Sequence, residues 1–165
     1  MARTLYLLRH AKSDWGGAAL ADADRPLNAR GRRDAPRMAR ALARLSPAPA
    51  HVICSPAVRT RQTLDLIQQT AAIDAPIVFD DRVYEAPVGA LLDAIADAPD
   101  VAPAVLLIGH NPGVQGLIRA ITGRDVRVPT ATLAKIEIDA DSWSGLAPGA
   151  GRLEGVWRPK EIDDE

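Results

Sequence analysis

Short apolar runs that stop abruptly at a charged or capping residue constrain this chain more than any other feature. Thr4-Leu5-Tyr6-Leu7-Leu8 stops at Arg9, His51-Val52-Ile53-Cys54 stops at Ser55, and Ala104 to Ile108 stops at Gly109-His110. Runs this short and rich in strand formers read as buried strands. The segments between them carry apolar residues at helical spacing. Residues 10 to 27 lack periodicity, hold Gly16, Gly17 and Pro26, and form a loop long enough to suggest function. Asn28 then caps a helix in which Ala35, Met38, Ala39 and Leu42 recur at i, i+3, i+4 and i+7. Ser55-Pro56 predicts the start of a second helix, with Ser as cap and Pro at the first helical position, and Thr60, Thr63, Leu64 and Ile67 form its inner stripe. A third strand at Ile77 to Phe79 precedes a helix carrying Val88, Leu91, Leu92 and Ile95. Gly109-His110-Asn111-Pro112 repeats the strand, capping side chain and Pro pattern ahead of Val114, Leu117, Ile118 and Ile121. Thr132 to Ile138 alternates apolar with charged residues, as a fifth strand with one exposed face does, and the tail offers an edge strand around Glu154 to Arg158.

Strands alternating with helices predict an α/β fold, a three-layer α/β/α sandwich around a mostly parallel sheet. At 165 residues, 47% hydrophobic, the chain has the apolar content for a single domain over 1–165. Twenty basic against twenty-one acidic side chains leave a net charge of −1, so no bulk positive field exists to hold nucleic acid or an anionic membrane. The arginine stripe of the first helix, Arg33, Arg37, Arg40 and Arg44, therefore reads as a solvated face. No apolar stretch approaches the roughly 20 residues of a membrane span, and Met1 to Leu8 lacks the basic and apolar regions of a secretory signal. A cytoplasmic protein is expected. Cys54, the single cysteine, excludes an internal disulfide and a multi-thiolate site, and is expected to be buried and inert.

In open α/β sheets ligands bind beyond the carboxyl ends of the strands. The polar residues expected there are Arg9-His10, Ser55 with Arg59 and Arg61, and Gly109-His110. Two imidazoles and at least two guanidiniums thus share one rim, and two of the three segments open helices whose N-terminal N–H groups favour an anion. A phosphoryl group needs this chemistry: guanidinium forks bind its oxygens bidentately and stay charged. Imidazole attacks phosphorus only when neutral, and neighbouring guanidiniums disfavour its protonation. A metal fits this rim poorly, because the arginines repel a cation and no His/Asp/Glu cluster has ligand spacing.

The chain resembles the histidine phosphatase superfamily, with its phosphoglycerate mutase-like fold, and within it the short phosphohistidine phosphatases of the SixA type. The resemblance runs from about Leu5 to Ile138. It rests on Leu7-Leu8-Arg9-His10-Ala11-Lys12-Ser13, Arg25-Pro26-Leu27-Asn28 leading to Gly31, Ser55-Pro56-Ala57-Val58-Arg59-Thr60-Arg61-Gln62-Thr63, Tyr84-Glu85-Ala86 and Gly109-His110-Asn111-Pro112. It implies His10 as the phosphorylated nucleophile, with Arg9, Arg59 and His110 completing the phosphoryl pocket, and neither metal nor organic cofactor. Ala11 stands where the superfamily's best-known triplet has Gly, a replacement familiar among SixA-type relatives. Trp15-Gly16 stands where mutase-like members place an Asn after Trp to bind phosphate; Ser13 or Lys12 either supplies that contact or is simply exposed.

Glu85 aligns with the superfamily's proton-donating carboxylate, yet neighbouring guanidiniums would favour its ionised form, so it serves either as general acid or as a capping or ion-pairing residue. Asp14, Asp24 and Arg25 are expected to order the loop. Missing insertions leave an open site suited to a phosphohistidine carried on a phosphorelay or phosphotransfer protein. The competing readings are a phosphatase or mutase for small phosphate esters, and a catalytically idle phosphate-binding module. Neither physiological substrate nor oligomeric state follows from the sequence.

Overall fold

The computed structural model describes residues 2–15 and 19–162. Gly16 and Gly17, which entered the loop reading, lie outside the described residues, as does Met1. Ten main elements follow one another: β1 (Ala2–Arg9), α1 (Ala29–Ala43), β2 (His51–Cys54), α2 (Val58–Ala71), β3 (Ile77–Phe79), α3 (Val88–Ala96), β4 (Ala104–Gly109), α4 (Gly113–Thr122), β5 (Leu133–Asp139) and β6 (Gly151–Trp157). The strands form one sheet in the order β3-β2-β4-β1-β5-β6. The first four in that order pair in parallel, whereas β5 runs antiparallel to β1 and β6 antiparallel to β5.

Two-residue alternation divides the apolar side chains between the faces. Leu5, Leu7, Ile53, Val105 and Leu107 pack with Leu91 and Ile95 of α3 and Leu117 and Ile118 of α4. Tyr6, Leu8, Val52, Leu106 and Ile108 pack on the other face with Met38, Ala39 and Leu42 of α1 and Leu64 and Ile67 of α2. The three-layer architecture follows, because β1 and β4 have apolar residues on both faces and each face must be covered. Cys54 is buried, and burial pushes its thiol up to about 12.

Four boundaries differ from the sequence expectation. Strand β1 begins at Ala2 rather than Thr4, because its ladder continues past the apolar run to pair Ala2 with Asp139. Helix α2 does not start at Ser55-Pro56: Ala57 is still extended (φ −58°, ψ 148°), and the Ser55 hydroxyl accepts the Ala57 N–H at 3.3 Å and meets His110 instead of capping a helix. Helix α4 begins at Gly113, with Pro112 in the capping position rather than the first helical one. Asn111 still caps through its side chain, Oδ1 accepting the Gln115 N–H at 3.1 Å. The edge strand of the tail spans Gly151–Trp157, earlier than its expected start at Glu154. Strand β3 forms the opposite edge and is half exposed. Among the described residues no helix is long and apolar enough to cross a membrane.

The loop after β1 is clamped to the start of α1. Asn28 caps that helix by accepting the Gly31 N–H at 2.9 Å, and its own N–H donates to the Lys12 carbonyl at 3.0 Å. A Cβ built on Gly31 would lie 2.1 Å from the same carbonyl oxygen, whereas one on Gly89 meets nothing within 4 Å. Gly31→Ala is therefore expected to destabilise the protein by about 1–3 kcal/mol through forced displacement of the loop. Gly89→Ala, in α3, is expected to stabilise it by about 0.5–1 kcal/mol. Urea unfolding of both variants checks the pair; equal effects would contradict the packing.

Candidate active site

Four segments converge at the carboxyl edge of the parallel strands. Arg9 ends β1, with His10 directly after it, and the parallel register sets Arg9 opposite Gly109, so His10 and His110 leave neighbouring strands side by side. The His10 N–H continues the ladder to the Gly109 carbonyl at 3.0 Å, and the two rings lie 5.2 Å apart. From the far side of β4, the Ser55 N–H bonds the Ile108 carbonyl at 3.0 Å. Arg59 comes from the first turn of α2 and Glu85 from the turn before α3.

His10 is buried, and its Nδ1 lies 2.7 Å from the Ala11 carbonyl. A carbonyl can only accept, so Nδ1 carries the hydrogen and the lone pair of the neutral ring is on Nε2. Burial, and then the charges of Arg59, Arg9 and Arg25, hold His10 at about 4, against the backbone bond that favours its charged form. His110 is held at about 3 by burial and then by His10 and Arg59. Both rings are neutral near pH 7. Ala11, the small residue after His10, has its N–H on the Thr63 hydroxyl at 3.0 Å, which ties the backbone beside His10 to α2.

Arg59 is 1% exposed, and its guanidinium donates to the Asp22 carbonyl at 2.8 Å, to Asp22 Oδ2 at 3.0 Å and to Glu85 Oε1 at 2.7 Å. Arg9 donates to the Val128 carbonyl at 3.0 Å, while its buried Nε has no hydrogen-bond partner among the described residues. Ser13 is buried and accepts from Arg25 Nη1 at 3.2 Å; Lys12 also lines the cavity. Arg25 orders the loop as expected, bonding Asp22 Oδ1 at 3.0 Å and the Asp14 carbonyl at 3.3 Å, and it also faces the cavity. Asp24 lies exposed in the one-turn 3₁₀ segment that carries Asp22. Arg61 points elsewhere, its guanidinium 4.0 Å over the Phe79 ring.

Sequence reasoning missed Asp22. Its carboxylate meets Arg59, Arg25 and the Tyr84 hydroxyl, and the Tyr84 bond followed by that to Arg59 holds it down at about 2. The available signal was the Asp22/Arg25 spacing inside a loop already marked as long. Glu85 sits at φ +47°, a left-handed conformation that costs a non-glycine residue about 1–2 kcal/mol, and its Oε1 is 3.8 Å from His110 Nδ1. This geometry places Glu85 both in an ion pair and at the cavity, so neither expected role is removed. The helix N-termini contribute less than expected: with α2 and α4 starting at Val58 and Gly113, their first turns are set back from Ser55 and His110.

These side chains enclose an open cavity of about 270 Å³. Two larger concavities hold neither a cysteine nor a histidine. One, about 390 Å³, runs between Arg37, Arg40 and Arg44 of α1 and Trp157; part of the stripe expected to be solvated thus borders a groove, with Arg37 and Arg40 half-buried. The other, about 430 Å³, lies beside the β5–β6 pair. No group of three or more His, Cys, Asp or Glu able to hold a metal ion occurs among the described residues.

Residues 5–98 match the histidine phosphatase superfamily (branch 1). The uncharacterized protein Rv1276c of Mycobacterium tuberculosis is 34% identical over 164 residues, covering 93% of this chain and 100% of that protein. Among solved structures, one from Nakamurella multipartitia, provisionally assigned as the phosphohistidine phosphatase SixA, is 31% identical with a TM-score of 0.85 over 96% of this chain and 97% of that one. A second with the same provisional assignment, from Agrobacterium tumefaciens, is 30% identical with a TM-score of 0.82 over 95% and 98% of the two chains. The chain belongs to the histidine phosphatase superfamily, in its SixA-type branch, and is a phosphatase of the histidine type.

The two buried imidazoles make stability depend on pH. Their folded-state values of about 4 and about 3 lie below the ordinary 6.5, so between these limits the unfolded chain binds more protons. Their contribution is complete above about pH 6.5 and is lost as pH falls from there toward 4 and below. In a His10→Asn/His110→Asn double variant the loss of stability between pH 7 and pH 4.5 is expected to flatten, leaving the parts due to His51, which burial also lowers, and to ion-paired carboxylates such as Glu161 and Asp22, whose partners hold them down. Urea unfolding across that range checks it, and an unchanged slope would contradict the burial of neutral rings.

Proposed function

We propose that this chain is a phosphohistidine phosphatase that hydrolyses the P–N bond of a phosphohistidine borne on a protein, through a phospho-His10 intermediate. The observation that carries the reading is His10 itself: a buried, neutral imidazole with Nδ1–H tied to a carbonyl and Nε2 bearing the lone pair, set among Arg9, Arg25 and Arg59. Such a cluster of guanidiniums favours an anion and disfavours a cation, and a neutral imidazole among them is suited to act as a nucleophile.

In the first step Nε2 of His10 attacks phosphorus in line, a new N–P bond forms, and the P–N bond to the substrate imidazole breaks. The departing nitrogen takes a proton from solvent or from Glu85. Arg9, Arg59 and His110 hold the non-bridging oxygens, where charge accumulates, and Ser13 and Lys12 line the approach. Phosphate displaces Asp22 and Glu85 from the Arg59 fork or shares it with them, since both carboxylates already occupy it. In the second step water attacks phospho-His10, the Nε2–P bond breaks, and inorganic phosphate leaves with neutral His10 regenerated.

The SixA-type neighbours at 31% and 30% identity support a protein-borne phosphohistidine over a sugar phosphate, and the open cavity admits an imidazole carried on a bulky partner. A single domain over 1–165 suffices for this chemistry.

Turnover of a phosphohistidine peptide is expected to exceed that of phosphorylated sugars and nucleotides, and rapid quenching is expected to trap an acid-labile phosphoryl label on the chain that is absent in His10→Ala. Preference for the sugars overturns the substrate class, and persistent label in His10→Ala overturns the nucleophile. Glu85→Gln is expected to slow hydrolysis of a phosphate ester by about 10²-fold or more, the scale of a lost general acid, and that of the phosphoramidate by much less, because an alkoxide needs the proton more than an imidazole does. Equal losses on both substrates would leave Glu85 an ion-pairing residue only.

A further inference from the structure

Ser55 is fully buried, with no surface exposed to water. Its hydroxyl oxygen accepts the Ala57 N–H at 3.3 Å and lies 2.7 Å from His110 Nε2. Among the described residues these are its two hydrogen-bond partners, and an N–H donor cannot receive the hydroxyl's own hydrogen. The remaining acceptor for that hydrogen is the Nε2 lone pair of His110. A neutral imidazole with Nε2 accepting must carry its single ring hydrogen on Nδ1. That Nδ1 is buried, has no hydrogen-bond partner and is 3.8 Å from Oε1 of Glu85, a residue that lines the same cavity as His110.

We propose that Ser55 is a positioning residue: it fixes His110 in the Nδ1–H tautomer, so that a neutral N–H donor is aimed at the phosphoryl group while His10 presents a lone pair. The inference rests on the phosphoryl-transfer reading for its chemistry, but the tautomer itself is a property of the resting protein. Two neighbouring imidazoles are thereby given opposite tasks at their cavity-facing nitrogens. The Ala11 carbonyl takes the hydrogen of His10 on the far nitrogen and leaves a lone pair in the site. The Ser55 hydroxyl gives its hydrogen to the far nitrogen of His110 and leaves a hydrogen in the site. Were His110 in the other tautomer, its Nδ1 lone pair would face the phosphoryl oxygens and repel them, and the buried Ser55 hydrogen would have no acceptor. The same arrangement lets His110 donate without carrying charge, which matters because an imidazolium at His110 is disfavoured by burial, by His10 and by Arg59.

The chain has three histidines, so its ring nitrogens can be assigned one by one with ¹⁵N-labelled protein and His→Asn variants at each position. In long-range ¹H–¹⁵N spectra of the wild-type protein near pH 7, His110 Nδ1 is expected to give the protonated, pyrrole-type signal and Nε2 the unprotonated, pyridine-type signal. In Ser55→Ala, the His110 pattern is expected to shift toward the other tautomer, with His10 unchanged, and kcat/KM for the phosphohistidine peptide to fall about 10- to 100-fold, less than the roughly 10²- to 10³-fold of removing such a donor outright, because His110 itself remains. Ser55→Thr, which keeps the hydroxyl, is expected to retain the wild-type signature. A residue that merely stabilised the fold would lower resistance to urea without moving the His110 signals. An Nε2–H signal for His110 in the wild-type protein overturns the inference whether or not Ser55→Ala folds. So does a Ser55→Ala protein that keeps the Nδ1–H pattern and full activity. If the wild-type protein turned over no phosphoramidate or ester, the functional reading would fall, while the spectra would still decide the role of Ser55.

Discussion

The parallel pairing of β1 with β4 is the constraint on which the rest of the structure depends. Its register sets Arg9 opposite Gly109, which brings the two strands to an end at the same level. Chain directions then send His10 and His110 out of the sheet together, and the next hydrogen bond of the ladder, from His10 N–H to the Gly109 carbonyl, locks their relative height. A shift of one residue would turn every apolar side chain of β1 to the opposite face, so the packing of Leu5 and Leu7 on one layer and Tyr6 and Leu8 on the other enforces the register that the site requires. Core packing and active-site geometry are consequently one constraint.

Electrostatics at the site follow from burial more than from the count of charges. Burial is the largest cause holding both imidazoles neutral, with the arginines adding to it, so in the proposed mechanism neither ring has to lose a proton first. The guanidinium of Arg59, itself almost fully enclosed, does not face the cavity bare, since Asp22 and Glu85 compensate it. Asp22 is in turn held ionised by Tyr84 and Arg59. The site is therefore a balanced set, in which, on the proposed function, an incoming phosphate exchanges one set of oxygen ligands for another. Such exchange avoids the desolvation cost of a naked buried cation in the resting protein.

Much of this was legible in the linear chain because it depends on local patterns. Apolar runs in β1, β2 and β4 gave strands, stripes such as Val114, Leu117, Ile118 and Ile121 gave helices, and the alternation of the two gave the sheet type and the edge on which ligands bind. Helix starts were less legible. Ser55-Pro56 carries the residue types of a helix cap, and nothing local reveals that a histidine 55 residues away claims the Ser55 hydroxyl. The antiparallel sense of β5 and the edge position of β3 are likewise set by how the chain returns to the sheet, which no short segment encodes.

By itself, then, the sequence determined the α/β architecture and the four polar residues at the strand ends and first helical turn, Arg9, His10, Arg59 and His110, because periodicity and abrupt changes of polarity are written in neighbouring residues. Only the tertiary structure decided which atoms of those residues face the cavity and which partners hold them. Asp22 on the Arg59 fork, the left-handed turn that carries Glu85, and the hydrogens of the two imidazoles are fixed by contacts between segments remote in the chain. A hydrogen bond has direction, and that direction exists only once donor and acceptor have been brought together.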